Sequence, residues 1–184
     1  MINSEKELED YICENQDDFI EKLKEIYHTK EEIKFVGRQV HIGEHNIADL
    51  IYCYNIKEKI KDEKGNIVYD GIIKNFIIVE LKFRQLRPTD LSQLSRYMTT
   101  FQDKVLSEKK FDNQTIYTCG ILVGFGLDDD MQEIEMLLSR NGNNIEFIAI
   151  SSKLEYDTIS YSHKEKYIEN LKLDDRITNE INIK

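Results

Sequence analysis

The sequence predicts an α/β chain: a central mixed β-sheet flanked by helices, in the order α-β-β-β-α-β-α-β. Three observations carry this. Apolar residues at helical spacing alternate along the chain with short apolar runs of strand length. The chain has 184 residues, 40% of them hydrophobic, which suffices for one domain with a real core. A tight-turn signal at Lys64-Gly65 lies midway between two of the apolar runs. Residues 1 to 150 are read as the main domain, and 151 to 184 as an extension that caps it or belongs to it.

The elements follow in chain order. Leu8, Tyr11, Ile12, Phe19, Leu23, Ile26 and Tyr27 recur at roughly helical spacing, so 4 to 28 is read as an amphipathic helix. Ser4 with Glu7 is a capping-box signature for its start, and Asn15-Gln16-Asp17-Asp18 is a place where it can break in two. Strands are expected at 33 to 42, 47 to 56 and 72 to 83, the last two each interrupted by one acid, Asp49 and Glu80. If these two strands form one long hairpin about Lys64-Gly65, paired residue numbers sum to about 129. Asp49 then faces Glu80 with Cβ atoms about 5 Å apart, and Gly71 is the expected site of a bulge. Pro88 opens a helix running to about Glu108. A buried strand at 115 to 125, a helix at 128 to 140 with acids in its first turn, and a short strand at 144 to 150 complete the order. A further helix at 161 to 172 is left open.

Composition excludes several classes. No apolar run approaches the ~20 residues that span a bilayer, and the polar start MINSEKELED is not a secretory signal. A cytoplasmic setting without membrane contact is therefore expected. Cys13, Cys53 and Cys119 are far apart and odd in number, which fits single buried thiols rather than a disulfide framework or a zinc knuckle. The net charge of -10 argues against an indiscriminate nucleic-acid coat protein.

The chemistry rests on two acids inside apolar strands. A carboxylate there is costly unless it is paired or bound to a cation. Two that face each other call for a proton or a cation between them. Lys82 lies two residues after Glu80 and so projects from the same strand face. Two hard oxygen ligands beside an amine suit magnesium or manganese. Such a site can bind a phosphate oxygen and acidify a water that the lysine orients or deprotonates.

VGRQVHIGEHNIADLIYCYN, then FIIVELKF, then QLSRYM resembles the PD-(D/E)xK nuclease superfamily. Asn46-Ile47-Ala48-Asp49 stands where that family has Gly-Arg-Ile-Asp, Glu80-Leu81-Lys82 matches its ExK, and Gln93 to Tyr97 matches the QxxxY of RecB-like members. ELEDYICENQDDFIEKL is similar to the first helix of NucS-like and Shedu-like domains. The resemblance covers residues 4 to about 150 and implies a restriction-endonuclease-like core. It implies a Mg²⁺- or Mn²⁺-dependent hydrolysis of phosphodiesters, with DNA as the first candidate. Asp49, Glu80 and the Leu81 carbonyl would be metal ligands, and Lys82 would position or activate the water. Gln93 and Tyr97 would share a helix face and hold the lysine or the substrate backbone. A helix-one glutamate would point at the metal, Glu9 ahead of Glu5. The chain departs from compact members in the long segment between Asp49 and Glu80, read as a protruding β-arm, and in Ala48 where a proline can precede the acid.

Each residue also has a plainer reading. Asp49 could be an edge acid, Glu80-x-Lys82 a surface alternation, Gln93 a capping partner of Asp90, and Tyr97 packing. Glu5 and Glu9 could lie on a solvated face. Lys57, Lys59 and Lys61 could be a solvated arm or grip a backbone. His41 and His45 read as surface residues, and Gly120, Gly124 and Gly126 as strand-end turns. A non-catalytic module of the same fold, binding nucleic acid or protein in a phage-defence or DNA-repair assembly, is the rival function. Cleavage of RNA or of a nucleotide messenger is the third reading.

Charge is uneven. Residues 1 to 32 hold 11 acids and 4 bases, and 125 to 184 hold 13 acids and 7 bases. Residues 33 to 124, which bear the motifs, hold 14 bases and 11 acids. Arg38, Arg84, Arg87 and Arg96 fall around the motifs and are the candidate phosphate-binding residues. In the non-catalytic reading the acidic first helix and tail would face a protein partner, and the tail after 150 could be a dimer element, a partner site or a cap.

Overall fold

The computed structural model describes residues 2–42, 46–107, 114–131, 134, 145–150 and 156–158. The expected helix at 128 to 140 lies largely outside these residues, and that at 161 to 172 wholly so.

The opening helix is two helices, α1 (Glu5–Glu14) and α2 (Gln16–Ile26), which part at Asn15. Ser4 caps α1 through its side chain, which accepts from the Glu7 N–H at 3.2 Å. The return arm of the box lands one residue early, with Glu7 accepting from the Asn3 N–H at 2.7 Å. The strands are β1 (Lys34–His41), β2 (Ile47–Lys61), β3 (Ile67–Leu81), β4 (Gln114–Gly124), β5 (Ile145–Ile150) and β6 (Tyr156–Thr158). Helix α3 (Pro88–Ser107) connects β3 to β4.

The six strands form one mixed sheet in the order β1-β2-β3-β4-β5-β6. β1, β2 and β3 run antiparallel in turn, β4 and β5 are parallel to β3, and β6 returns antiparallel. The short edge strand β6 lies beyond the strands expected from the sequence. β2 and β3 are longer than their apolar runs, because the charged segment between them continues the ladder to Lys61 and Ile67. Pairs from Leu50↔Val79 to Ile60↔Tyr69 keep the expected sum, and the ladder ends one step short of Asp49 and Glu80, where the Asp49 side chain accepts from the Leu81 N–H instead. The bulge is not at Gly71, which pairs regularly with Glu58, but between Ile60 and Lys61. There the chain enters a turn in which Asp62 accepts from the Lys64 and Asn66 N–H groups and Gly65 takes φ +84°.

Each sheet face has its own core. On one, Leu8, Ile12, Phe19 and Leu23 of α1 and α2 pack on Leu50, Tyr52, Ile77, Val79 and Leu81. On the other, Leu94 and Tyr97 of α3 pack on Ile51, Phe76, Ile78 and Leu122. Alternation along β3 thus sends Ile77, Val79 and Leu81 to α1 and α2, and Phe76 and Ile78 to α3. Gly120 is not at a strand end as expected. It lies inside β4, where a Cβ would come within 2.8 Å of Leu94 and 2.6 Å of Met98, so α3 settles directly on the strand. The three cysteines are free and half-buried rather than fully buried. Among the described residues, no helix is long and apolar enough to cross a membrane.

Candidate active site

The site lies at the carboxyl end of β3, between the start of α1 and the first turns of α3. Glu80 is the last but one residue of β3 and is 2% exposed. Its Oε1 accepts from Lys82 Nζ at 2.7 Å and from Gln93 Nε2 at 2.6 Å. Its Oε2 is buried and has no hydrogen-bond partner. The two-residue step along the strand brings Lys82 beside Glu80, as expected, and the Lys82 N–H fixes the turn by donating to the Val123 carbonyl at 2.8 Å.

Gln93 and Tyr97 share one face of α3, and the Gln93 amide donates to both Glu80 and the Tyr97 hydroxyl, the latter at 2.8 Å. Gln93 therefore holds the glutamate, not the lysine. It does not cap Asp90 either: that carboxylate accepts from the Arg87 N–H at 2.9 Å, closing the first turn of α3 itself.

Asp49 is half-buried at the start of β2. Its Oδ2 accepts from the Leu81 N–H at 2.7 Å, which locks the acid to the ExK strand. Its Oδ1 accepts from Gln39 Nε2 at 3.1 Å. The same Gln39 amide donates to Glu9 Oε2, and Arg38 Nε reaches Glu9 Oε1 at 2.7 Å. Glu9 is 5% exposed, so it is no solvated-face acid, and it meets Asp49 through Gln39. Glu5 is the α1 acid that approaches Lys82, at 3.8 Å. Together Glu5, Lys6, Glu9, Arg38, Gln39, Asp49 and Leu81 line an open cleft of about 320 Å³.

Gln39 was not singled out in the sequence. Strict strand alternation would place it opposite Arg38, yet both side chains reach Glu9. The reason is backbone: Gln39 takes φ +49°, a left-handed conformation that a non-glycine residue adopts at a cost of about 1 kcal/mol or more. No pattern of residue types announces this.

The four arginines do not act as one cluster. Arg84 makes a two-point pair with Asp90, at 2.8 and 2.7 Å, and also donates to the Gln85 carbonyl. Its guanidinium thus ties the loop after β3 to the first turn of α3. Arg38 is committed to Glu9 and Asp10 at the cleft rim. Arg87 has a largely exposed side chain 3.9 Å from Asp128, and Arg96 lies exposed over the Tyr97 ring at 5.7 Å.

Electrostatics follow from burial. Burial, reinforced by the Asp49 charge and opposed by Lys82, pushes the Glu80 carboxyl up to about 7. Burial also raises Asp49, against the pull of the Leu81 N–H, Lys82 and Gln39. Burial pulls Lys82 down, but the carboxylates of Glu80, Glu5 and Asp49 outweigh it and hold the ammonium above its usual range. In this state the Lys82 ammonium donates its hydrogen bond to Glu80.

Among the described residues, no three His, Cys, Asp or Glu side chains converge closely enough to hold a metal by themselves. The donors of a kind that suits a hard cation are fewer: the carboxylates of Asp49 and Glu80, together with the backbone carbonyl of Leu81. The unpartnered Glu80 Oε2 and the raised Glu80 carboxyl fit this, because a cation would complete the oxygen and restore its charge.

Two solved structures are similar to the chain. One is a repair endonuclease from Pyrococcus abyssi, 26% identical with a TM-score of 0.42, matching 80% of this chain and 46% of that one. The other is an EndoMS–dsDNA2 complex, 18% identical with a TM-score of 0.39, matching 73% of this chain and 44% of that one. The chain spans less than half the length of either. No family model and no curated protein matches it.

Proposed function

We propose that this chain is a metal-dependent nuclease of the PD-(D/E)xK kind that hydrolyses phosphodiesters in DNA. One observation carries the reading: a buried Glu80 with one bare oxygen, bonded to Lys82 and Gln93, on the strand to which Asp49 is locked. A surface alternation would put Glu80 and Lys82 in water, and a packing role would supply Oε2 with a donor.

Asp49, Glu80 and the Leu81 carbonyl would hold Mg²⁺ or Mn²⁺. Such an ion, when bound, polarises a phosphate oxygen and acidifies a water. The chain's residues do the rest. Lys82, held protonated, orients the attacking water and stabilises negative charge growing on the phosphate. Gln93 holds Glu80 through Oε1 and leaves Oε2 without a partner, and Tyr97 bonds Gln93. Arg87 and Arg96 are the exposed cations that can meet neighbouring phosphates.

The test is cleavage of linear and circular DNA, single- and double-stranded, with Mg²⁺ or Mn²⁺. Wild type should cut, and Asp49→Ala and Lys82→Ala should each lose a hundredfold or more, on the order expected for such groups. Cutting that survives both substitutions unchanged would sink the mechanism.

A further inference from the structure

We infer that Gln39 is a positioning residue of this site: its amide holds the Asp49 carboxylate in the orientation that takes the metal, and binds it to Glu9 on α1. The inference rests on the nuclease reading, in which Asp49 is a ligand.

Three observations converge on Gln39. Its Nε2 donates to two carboxylates at once, Asp49 Oδ1 and Glu9 Oε2. Carboxylates only accept, so the amide nitrogen is the group that can stand between them. With Oδ2 on the Leu81 N–H, both Asp49 oxygens are fixed, one by the strand beside it and one by Gln39. Finally, the backbone departs from β geometry at this residue, φ +49°, inside a strand that otherwise pairs regularly from Gly37↔Ile51 to His41↔Ile47. The departure lets Arg38 and Gln39 reach the same glutamate. Without the amide, Asp49 and Glu9 present like charges to one another across the cleft, and nothing sets the direction of Oδ1.

This role is distinct from ligation, since the side chain meets the two carboxylates through its Nε2, and an amide nitrogen does not bind a cation. It is also distinct from simple stabilisation, because the left-handed residue costs the fold something. Partners that orient a metal ligand typically alter metal affinity by 10- to 100-fold when removed.

Two variants separate these roles. Gln39→Gly removes the amide and the backbone cost together, since glycine accepts this φ freely. Gln39→Met removes the amide but keeps the length and the cost. The measurements are calorimetric titration of the full chain with Mn²⁺, without DNA, and thermal melting of the same samples. Mn²⁺ affinity should fall about tenfold or more in both variants, to a similar extent, whatever the order of their melting temperatures. Wild-type affinity in either variant overturns the inference, and so does a loss that follows the melting temperature instead of the missing amide. Wild-type chain that takes up no Mn²⁺ in a way Glu80→Ala abolishes overturns the metal-site reading and this one with it. The wild-type trace therefore tells the two failures apart.

Discussion

Glu80 and Lys82 form a buried ion pair, with side chains 3% and 11% exposed. Removing one partner of such a pair leaves an uncompensated charge, and that is worse than never having had the pair. Lys82→Met should therefore lower metal-free stability in urea unfolding by about 3 kcal/mol where Glu80 stays ionised, and by less near pH 7, where Glu80 can take up a proton. Mn²⁺ should restore part of the loss, because an ion at Oε2 supplies the missing positive charge and binds the folded state alone. A variant as stable as wild type without metal would contradict the burial argument. The residues of this group were legible because their spacing is set by the elements that carry them. A step of two on a strand brings Lys82 to Glu80, and a step of four on a helix brings Tyr97 to Gln93. Gln39 was hidden for the same reason reversed, since its side chain reaches the site only through a backbone angle that breaks the strand period.

Among the elements, α3 matters most to the site because it carries Gln93 and Tyr97, and its first turn is tied down by Asp90. That carboxyl is buried, which by itself would raise its pKa, but the Arg84 guanidinium and the Arg87 N–H overcome this and hold it below the usual 3.8. A depressed folded-state pKa means stability that is complete above the unfolded value and lost as pH falls through the folded one. Asp90→Asn should thus cost about 2 kcal/mol at pH 7, and the gap to wild type should close below about pH 4. A gap that stays constant into acid would show that shape, not charge, anchors the helix. Neither partner was legible as such, because the pair is six apart in sequence and spans a loop that no period describes. The β2–β3 hairpin was legible in register, since a single tight turn fixes every rung above it. The protruding arm was legible too, but the ends of its strands were not, because its charged residues carry no apolar alternation to mark where pairing stops.

At the scale of the whole molecule, the nuclease reading requires the net charge of -10 and phosphate binding to coexist. The acids concentrate in residues 1 to 32 and 125 to 184, while the stretch bearing the site carries more bases than acids. The structure narrows the basic set further. Arg38 and Arg84 spend their donors on Glu9, Asp10 and Asp90, and Lys59 of the hairpin pairs with Asp70 at 3.0 Å. Among the described residues, Arg87, Arg96 and the cleft-lining Lys6 remain to meet DNA, roughly three phosphate contacts on an acidic molecule. Each neutralised phosphate releases condensed counterions, so three contacts give a slope of log K against log salt of about -3. Affinity for a short duplex should fall roughly 50-fold between about 50 and 200 mM salt, measured with Ca²⁺ in place of Mg²⁺ to hold the DNA uncut. Chelating the metal should weaken binding further at every salt concentration, because Asp49 and Glu80 then repel the phosphate that the ion would attract. A slope of about -6 or steeper would place DNA on a second basic surface, with Lys57, Lys59 and Lys74 of the hairpin as its candidates. Arg87→Ala together with Arg96→Ala distinguishes the two. If the site alone meets the backbone, the double variant should bring the slope to about -1.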